Sequence, residues 1–381
     1  MITAGIGAFS LAIWIYLMFA RGGFWRMKVD DEMPIGTAVP AKRVAAIVPA
    51  RNEAATVGQT IQSLLAQNYA GPFHVFLADD HSSDGTAEIA RRTAQEAGCP
   101  ERLTIIEAAP LPRGWTGKLW ALAEGIRAAS SLSAHYYWFT DADILHQPDN
   151  LSRLVARAES SGFDLASLMV KLRCQSIAER ILIPAFVFFF FKLYPPAWVA
   201  NPDKRTAAAA GGCILVRSAA LIHMGGIYAI RNQLIDDCAL ARAVKSGGPI
   251  WLGPTSNACS LRAYGSFREI GRMIARSAFT QLRHSLVLLS GVLVGMTITY
   301  IAPPILLVVG GWGRVFGFAA WILMTAAYWP TLRFYRLSPL WAPFLPLIAI
   351  FYLGATFYSA ALYYSGQGGV WKGRIQDFAG N

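Results

Sequence analysis

The residues best able to do chemistry in this sequence are acidic, and several stand where a buried segment runs out. Asp141-Ala142-Asp143 follows the aromatic run Tyr136-Tyr137-Trp138-Phe139-Thr140, which reads as a buried strand. Two carboxylates one residue apart at its tip are costly without a positive partner. A divalent cation carrying a diphosphate would satisfy both, because hard cations take oxygen ligands and keep substrate phosphates in their shell. A solvated strand end is the alternative. Asp79-Asp80-His81-Ser82-Ser83-Asp84-Gly85-Thr86 ends another strand and opens a helix. Asp84 and Gly85 account for a cap and a turn, which leaves two carboxylates at the strand tip where a nucleotide base or ribose could be bound. In Gly114-Trp115-Thr116-Gly117-Lys118 a lysine stands near a helix N-terminus, an end that is already positive, so it is unfavourable unless an anion such as a diphosphate is present. A surface lysine is the other reading. Asp236 and Asp237 begin the helical pattern D-D-C-A-L-A-R-A-V-K. Acids complement any helix N-terminus, and a carboxylate opposite a metal-bound diphosphate could also serve as general base.

The elements that must position these residues alternate. Arg43 to Ala50 reads as a buried strand, and Val57, Ile61, Leu64 and Leu65 give the spacing of an amphipathic helix. A strand at His74 to Ala78, a helix from Thr86, a strand at Leu103 to Glu107 and a helix over about Lys118 to Ala129 lead into the aromatic strand ending at Asp141. Strand–helix alternation predicts an α/β fold with a parallel sheet, and ligands of such sheets bind beyond the carboxyl ends of the strands. Arg51-Asn52-Glu53, Asp79-Asp80, and Asp141 with Asp143 all fall there. No G-x-G-x-x-G follows the first strand and no Walker A motif occurs, so dinucleotide and P-loop readings lose their support. The histidines lack H-E-x-x-H spacing and there is no G-x-S-x-G, which disfavours zinc and serine hydrolases.

The 381 residues are 54% hydrophobic and only 15% charged, too apolar for an ordinary soluble enzyme. Ile2 to Ala20 is uncharged, long enough to span a bilayer, and followed rather than preceded by Arg21, Arg26 and Lys28, as in an uncleaved anchor over 1–28. Ser285 to Gly313, Val315 to Leu332 and Leu337 to Trp371 are uncharged as well, predicting a transmembrane region over 285–371 and a basic tail at 372–381. Pro303-Pro304 lies within the first of these, where a membrane helix needs help from its neighbours. The net charge of +11 is not clustered with stacking aromatics as nucleic-acid binding would want. Arg268, Arg272, Arg276 and Arg283 instead precede the second span like a cytoplasmic flank, which predicts a cytoplasmic catalytic domain over 42–284. In the Phe-rich segment Ile181 to Val199 the apolar run before Lys192 is too short to span, so an interfacial element is expected, with a core helix as the alternative. Cysteines 99, 174, 213, 238 and 259 form no C-x-x-C pair and read as reduced thiols.

Taken in order, V-P-A-R-N-E (48–53), A-D-D-H-S-S-D-G-T (78–86), G-W-T-G-K (114–118), T-D-A-D (140–143) and I-D-D (235–237) resemble a family-2 glycosyltransferase. The longer strings L-I-P-A-F-V-F-F-F (182–190), A-A-A-A-G-G-C (207–213), I-D-D-C-A-L-A-R (235–242) and Q-L-R (281–283) are similar to the membrane-bound hopene-associated glycosyltransferases of hopanoid gene sets. The resemblance implies a GT-A-type nucleotide-sugar-binding domain with a mostly parallel central sheet plus transmembrane helices. It also implies a divalent cation, Mg²⁺ or Mn²⁺, and an inverting mechanism. Arg51, Glu53 and Asp80 would hold the nucleoside and Lys118 would approach the diphosphate. Asp143 with Asp141 would act at metal and donor, and Asp237 would be the base, with Asp236 the weaker candidate. Related enzymes carry Q/R-x-x-R-W before a membrane segment. Thr280-Gln281-Leu282-Arg283-His284 keeps only the arginine, which argues against a processive synthase and leaves Arg283 to stabilise the leaving group. The expected activity is transfer of a single sugar to a membrane lipid hydroxyl, a hopanoid, at a bacterial inner membrane, with no nucleic-acid partner. A polyprenyl-phosphate glycosyltransferase is the runner-up, and a non-catalytic scaffold or transporter would want charged residues inside the spans. One N-terminal and three C-terminal spans put Lys372 and Arg374 opposite the catalytic domain, against the positive-inside tendency.

Overall fold

A computed structural model describes residues 1–29, 41–367, 370–371 and 374–375, so most of the expected basic tail lies outside the described residues. The chain divides into two compact units. One takes the described residues of 28–173, 198–262 and 371–375, and the other takes the described residues of 1–27, 174–197 and 263–370.

The first unit is organised by the strand Val44–Ala50 (β1), buried at every position because helices cover both faces, the usual reason for an unbroken apolar strand. Val44, Ala46, Val48 and Ala50 join one core with Val57, Ile61 and Leu64 of the helix Val57–Leu65 and with Leu151 and Leu154 of the helix Asn150–Ser161. On the opposite face lies the helix Gly117–Ala128. A β-carbon at its Gly125 would stand 2.4 Å from Ile47 Cγ2, so glycine is what lets helix and strand approach. The remaining strands are Phe73–Asp79 (β2), Leu103–Glu107 (β3), Tyr136–Phe139 (β4), Ile144–His146 (β5), Leu165–Lys171 (β6), Ile214–Arg217 (β7) and Ile250–Ser260 (β8). They form one sheet in the order β3-β2-β1-β4-β7-β6-β8-β5. The half around β1 is parallel, as the alternation predicts. β7 runs antiparallel to both β4 and β6, and β5 antiparallel to β8.

Pro49 lies in a central strand, where a missing N–H is normally costly. The register explains it: β4 pairs with β1 only from Val44↔Tyr136 to Ile47↔Phe139, while β2 continues to Ala50↔Asp79. β4 has ended before Pro49. The aromatic strand therefore stops at Phe139 rather than Asp141, and Thr140 to Asp143 are free to turn across the sheet edge.

The second unit contains four helices long and apolar enough to cross a membrane: Ile2–Phe19, Leu286–Leu306, Trp312–Phe334 and Pro339–Tyr364. The last ends seven residues before the expected Trp371. In Leu286–Leu306 a π-helical turn, Thr297–Ile301, precedes the two prolines. Pro303 has no N–H for the carbonyl of Thr299, its i−4 partner. Trp14 Nε1 donates to that carbonyl at 2.7 Å, and the indole packs edge-on against Tyr300. The neighbour that the sequence required at this kink is the N-terminal helix.

The Phe-rich segment forms the helix Ile177–Leu193, capped by a reciprocal Ser176–Glu179 box. It is grouped with the helices rather than with the sheet. Phe188 and Phe191 are each 1% exposed. Phe188 meets Phe24 and Tyr328, and Phe189 meets Tyr300 and Tyr352. Aromatic side chains with partners on several sides belong in a helical core. Residues 263–284 also belong to this unit, which moves the boundary expected at His284 to Arg262.

Candidate active site

The loop before helix Gly117–Ala128 is fixed at two points. Thr116 caps the helix by accepting from Leu119 N, and its own N–H donates to Arg231 O at 2.9 Å, tying it to the segment that leads into Asp236. Lys118 is thereby directed at Asp141 Oδ1, 2.9 Å away, and Asp236 Oδ2, 3.2 Å away. The anion that a lysine at this helix end requires is supplied by the chain itself. Burial alone would depress the Lys118 ammonium, but Asp141 and Asp236 hold it well above its ordinary value. Beside it, Asp237 accepts from Gly211 N at 2.9 Å and from its neighbour Cys238 N at 2.7 Å. Burial, and then the charge of Asp236, push its carboxyl up to about 6, against the pull of Lys118 and the two amides. A carboxylate held near neutrality is suited to accept a proton at physiological pH.

A buried network sets the strand tip. Thr140 Oγ1 donates to Gly212 O at 2.9 Å and lies 2.9 Å from His146 Nε2, while Asn150 Nδ2 lies 3.0 Å from His146 Nδ1. With the threonine proton on Gly212, His146 carries hydrogen on Nε2 and accepts from Asn150. Burial lowers the imidazole to about 3, so it stays neutral. The D-x-D loop and the Gly211-Gly212 loop are thus joined through one hydroxyl.

Asp143 is 6% exposed and receives Arg262 Nε at 2.7 Å, while Arg262 Nη2 reaches Glu53 at 2.8 Å. Burial and the charge of Asp141 raise the Asp143 carboxyl, with Arg262 opposing. The loops after β1 and β2 interlock: Asn52 N donates to Ser82 Oγ, Ser83 N to Asn52 Oδ1, Glu53 N to Thr86 Oγ1 and Ala54 N to Asp84 Oδ2. Asp84 is thus absorbed by structure, as is Asp79, which accepts from Ser82. Fully buried Asp80 faces Arg51 Nη1 at 3.4 Å, and Arg51 Nε is buried with no acceptor among the described residues.

Through these contacts the carboxylates Glu53, Asp141, Asp143, Asp236 and Asp237 outnumber the cations Lys118 and Arg262. Such an excess of hard oxygen donors fits a divalent cation. No group of three or more His, Cys, Asp or Glu among the described residues encloses an ion alone. Asp141 and Asp143 would supply the protein ligands and diphosphate oxygens would complete the shell. All the proposed donor-side residues and both Asp236 and Asp237 lie in the sheet unit, and Lys118, Asp141, Asp236 and Asp237 line one pocket. Arg283 belongs to the helical unit, with a positive φ of 52°. Arg262 and Gly211 were missed. Arg262 is a lone arginine after a strand, with no local signal of two partners more than a hundred residues away. Gly211 was legible only as part of the string A-A-A-A-G-G-C.

Residues 45–225 match the family described as Glycosyl transferase family 2. Over that span the chain is similar to a family-2 glycosyltransferase domain. The matched span runs from β1 past β7 and stops before Asp236. Over 145 residues the chain is 30% identical to an undecaprenyl-phosphate 4-deoxy-4-formamido-L-arabinose transferase of Salmonella paratyphi A, covering 38% of this chain and 41% of that one. The protein of the same description from Salmonella choleraesuis is 29% identical over the same length. The chain spans about two fifths of the length of these relatives. A mannosyltransferase from Pyrobaculum calidifontis, solved in complex with GDP-Man and Mn²⁺, is similar over 94% of this chain and 99% of its own, with a TM-score of 0.55 and 19% identity. The glycosyltransferase fold is therefore GT-A-like, with a mostly parallel, curled sheet.

Proposed function

We propose that this protein transfers one sugar from a nucleotide-sugar donor to the hydroxyl of a membrane lipid, a hopanoid, with inversion at the anomeric carbon. The observation that carries the reading is Asp237. It is held by Gly211, raised to about 6 by its surroundings, and adjoins the Lys118–Asp141 pair at the strand tips where a donor diphosphate is expected. Arg51, whose buried Nε has no acceptor among the described residues, and Asp80 suit the nucleoside, Glu53 adjoins them, and Lys118 suits the diphosphate. As the acceptor oxygen attacks the anomeric carbon, its proton passes to Asp237. The bond to the diphosphate oxygen breaks, and its electron pair leaves with the nucleoside diphosphate. Lys118 lies within reach of that developing charge. A divalent cation held by Asp141 and Asp143 would neutralise the diphosphate. The four apolar helices support a multi-pass protein of a bacterial inner membrane whose sugar-transfer domain is cytoplasmic, and the strings at 182–190 and 207–213 support the hopanoid.

A second reading has an observation in its favour, the relatives described as undecaprenyl-phosphate transferases. In it the acceptor is a polyprenyl phosphate, an anion that needs little base catalysis and would be opposed by the acidic excess. Membranes containing the protein, supplied with a panel of nucleotide sugars, Mg²⁺ or Mn²⁺, and either a hopanoid polyol or undecaprenyl phosphate, would distinguish the two by product mass. Glycosylated hopanoid supports the first reading. Product from undecaprenyl phosphate alone replaces it with the second, and no product or donor hydrolysis across the panel removes both.

A further inference from the structure

Arg262 makes contacts that sugar transfer as outlined above does not use. Leu261 N donates to Asp143 O at 2.7 Å, so the end of β8 is fixed to the D-x-D loop whatever the Arg262 side chain does. The side chain then places Nε on Asp143 Oδ2 and Nη2 on Glu53 Oε1. The two partners differ from it in burial: the Arg262 side chain is 37% exposed, against 9% for Asp143 and 13% for Glu53. A buried carboxylate and a half-buried one therefore share a cation that itself reaches the surface.

A carboxylate as enclosed as Asp143, repelled by Asp141, is costly to leave without a positive partner. A divalent cation and a guanidinium do not share one carboxylate oxygen comfortably, since each repels the other. A guanidinium fork suits phosphate oxygens as well as carboxylate oxygens. We propose that Arg262 is an exchange partner of the donor's metal. In the nucleotide-free protein its guanidinium neutralises Asp143. When a metal-bearing nucleoside diphosphate arrives, Arg262 leaves Asp143 for a diphosphate oxygen while Glu53 retains its other edge. This rests on the reading that Asp143 lies at the donor metal. It has a thermodynamic consequence: metal alone must displace Arg262 with no new partner to offer, whereas metal with diphosphate offers one. Metal and nucleotide then bind with positive coupling, and Arg262 carries part of it.

The test is Mn²⁺ titration of the full-length protein in detergent, followed by the electron paramagnetic resonance of free Mn²⁺, alone and with UDP, GDP, CDP, ADP or dTDP. The expected wild-type result is weak binding of Mn²⁺ alone, tightened by one of the nucleotides and lost in Asp143→Asn. Arg262→Gln should bind Mn²⁺ alone about tenfold more tightly, the size expected for releasing one charged hydrogen bond, and should lose much of the nucleotide coupling. Arg262→Lys, which retains charge without the fork, should fall between them. Mn²⁺ affinity of Arg262→Gln that is unchanged or weaker in the absence of nucleotide overturns the exchange, while Asp143-dependent binding in the wild type leaves the donor-site reading standing. Absence of Mn²⁺ binding by the wild type with every nucleotide overturns both.

Discussion

The amide of Gly211 donates to Asp237 at 2.9 Å, and a β-carbon built on Gly211 would lie 3.4 Å from that same carboxylate oxygen and 3.2 Å from Lys118 Nζ. Asp237, Lys118 and the Gly211 backbone thus meet closely, and a β-carbon at Gly211 would crowd Lys118. Gly211 does not adopt the left-handed conformation, so alanine fits its backbone and the conflict is with its neighbours. Gly211→Ala should fold with a melting temperature close to that of the wild type. Displacing Lys118 by a few tenths of an ångström should lower kcat about tenfold, in line with the sensitivity of catalysis to misplacement. Kinetics alongside thermal unfolding check this, and an unchanged kcat would show that the spacing is not critical.

A proton acceptor works only when ionised. With Asp237 raised to about 6, transfer should climb tenfold per pH unit below that value and level off above it. Stability should run the other way. A carboxyl whose folded value exceeds its unfolded value of about 3.9 contributes stability below that unfolded value, and the contribution is lost as pH rises through about 6. Asp237→Asn should retain nucleotide binding, lose transfer by about 10²- to 10⁴-fold, and flatten both profiles. Rate and melting-temperature profiles measured from pH 4 to 8 on both proteins test the assignment, and normal turnover in the variant would remove Asp237 from the base role.

Lys118 holds two acids that would otherwise repel each other. Its side chain is 19% exposed, Asp236 20% and Asp141 36%, so the cost of its loss is smaller than for a fully enclosed pair. Lys118→Met should destabilise the sheet unit by about 2 kcal/mol and weaken nucleotide binding. Adding Asp236→Asn should restore part of the stability but not the nucleotide affinity. Thermal unfolding and nucleotide titration of the single and double variants decide it; equal losses in both would mean that charge pairing is not what Lys118 supplies.

How far the sequence foretold these contacts depends on the distance over which each signal acts. β1, the helix at Val57–Leu65 and β3 are marked by their own apolar patterns, and the structure has them within a residue or two of expectation. The acids at Asp80, Asp141 and Asp237 were legible because carboxylates at strand and helix ends are locally anomalous. The reversal of β7 was not legible, since Ile214–Arg217 offers four residues that pair equally well in either direction. Nor was the affiliation of Ile177–Leu193, whose aromatic side chains suit a bilayer interface as well as a helical core; only its partners Phe24, Tyr300, Tyr328 and Tyr352 distinguish the two. Lys118 stands where an anion is expected, and the anions beside it are its own Asp141 and Asp236.

The hydrogen bond from Trp14 to Thr299 O changes what the first helix is. A segment that only tethered a domain to a bilayer could be exchanged for any other apolar helix or removed outright. This one repairs a specific defect made by Pro303, 289 positions further along the chain, and without its indole an apolar interior would hold a carbonyl with nothing to accept from. The first helix and the helix Leu286–Leu306 must therefore find each other before the helical unit is whole. A chain shortened at its N-terminus to improve solubility would lose a structural member, and its remaining helices would assemble around an unsatisfied bend.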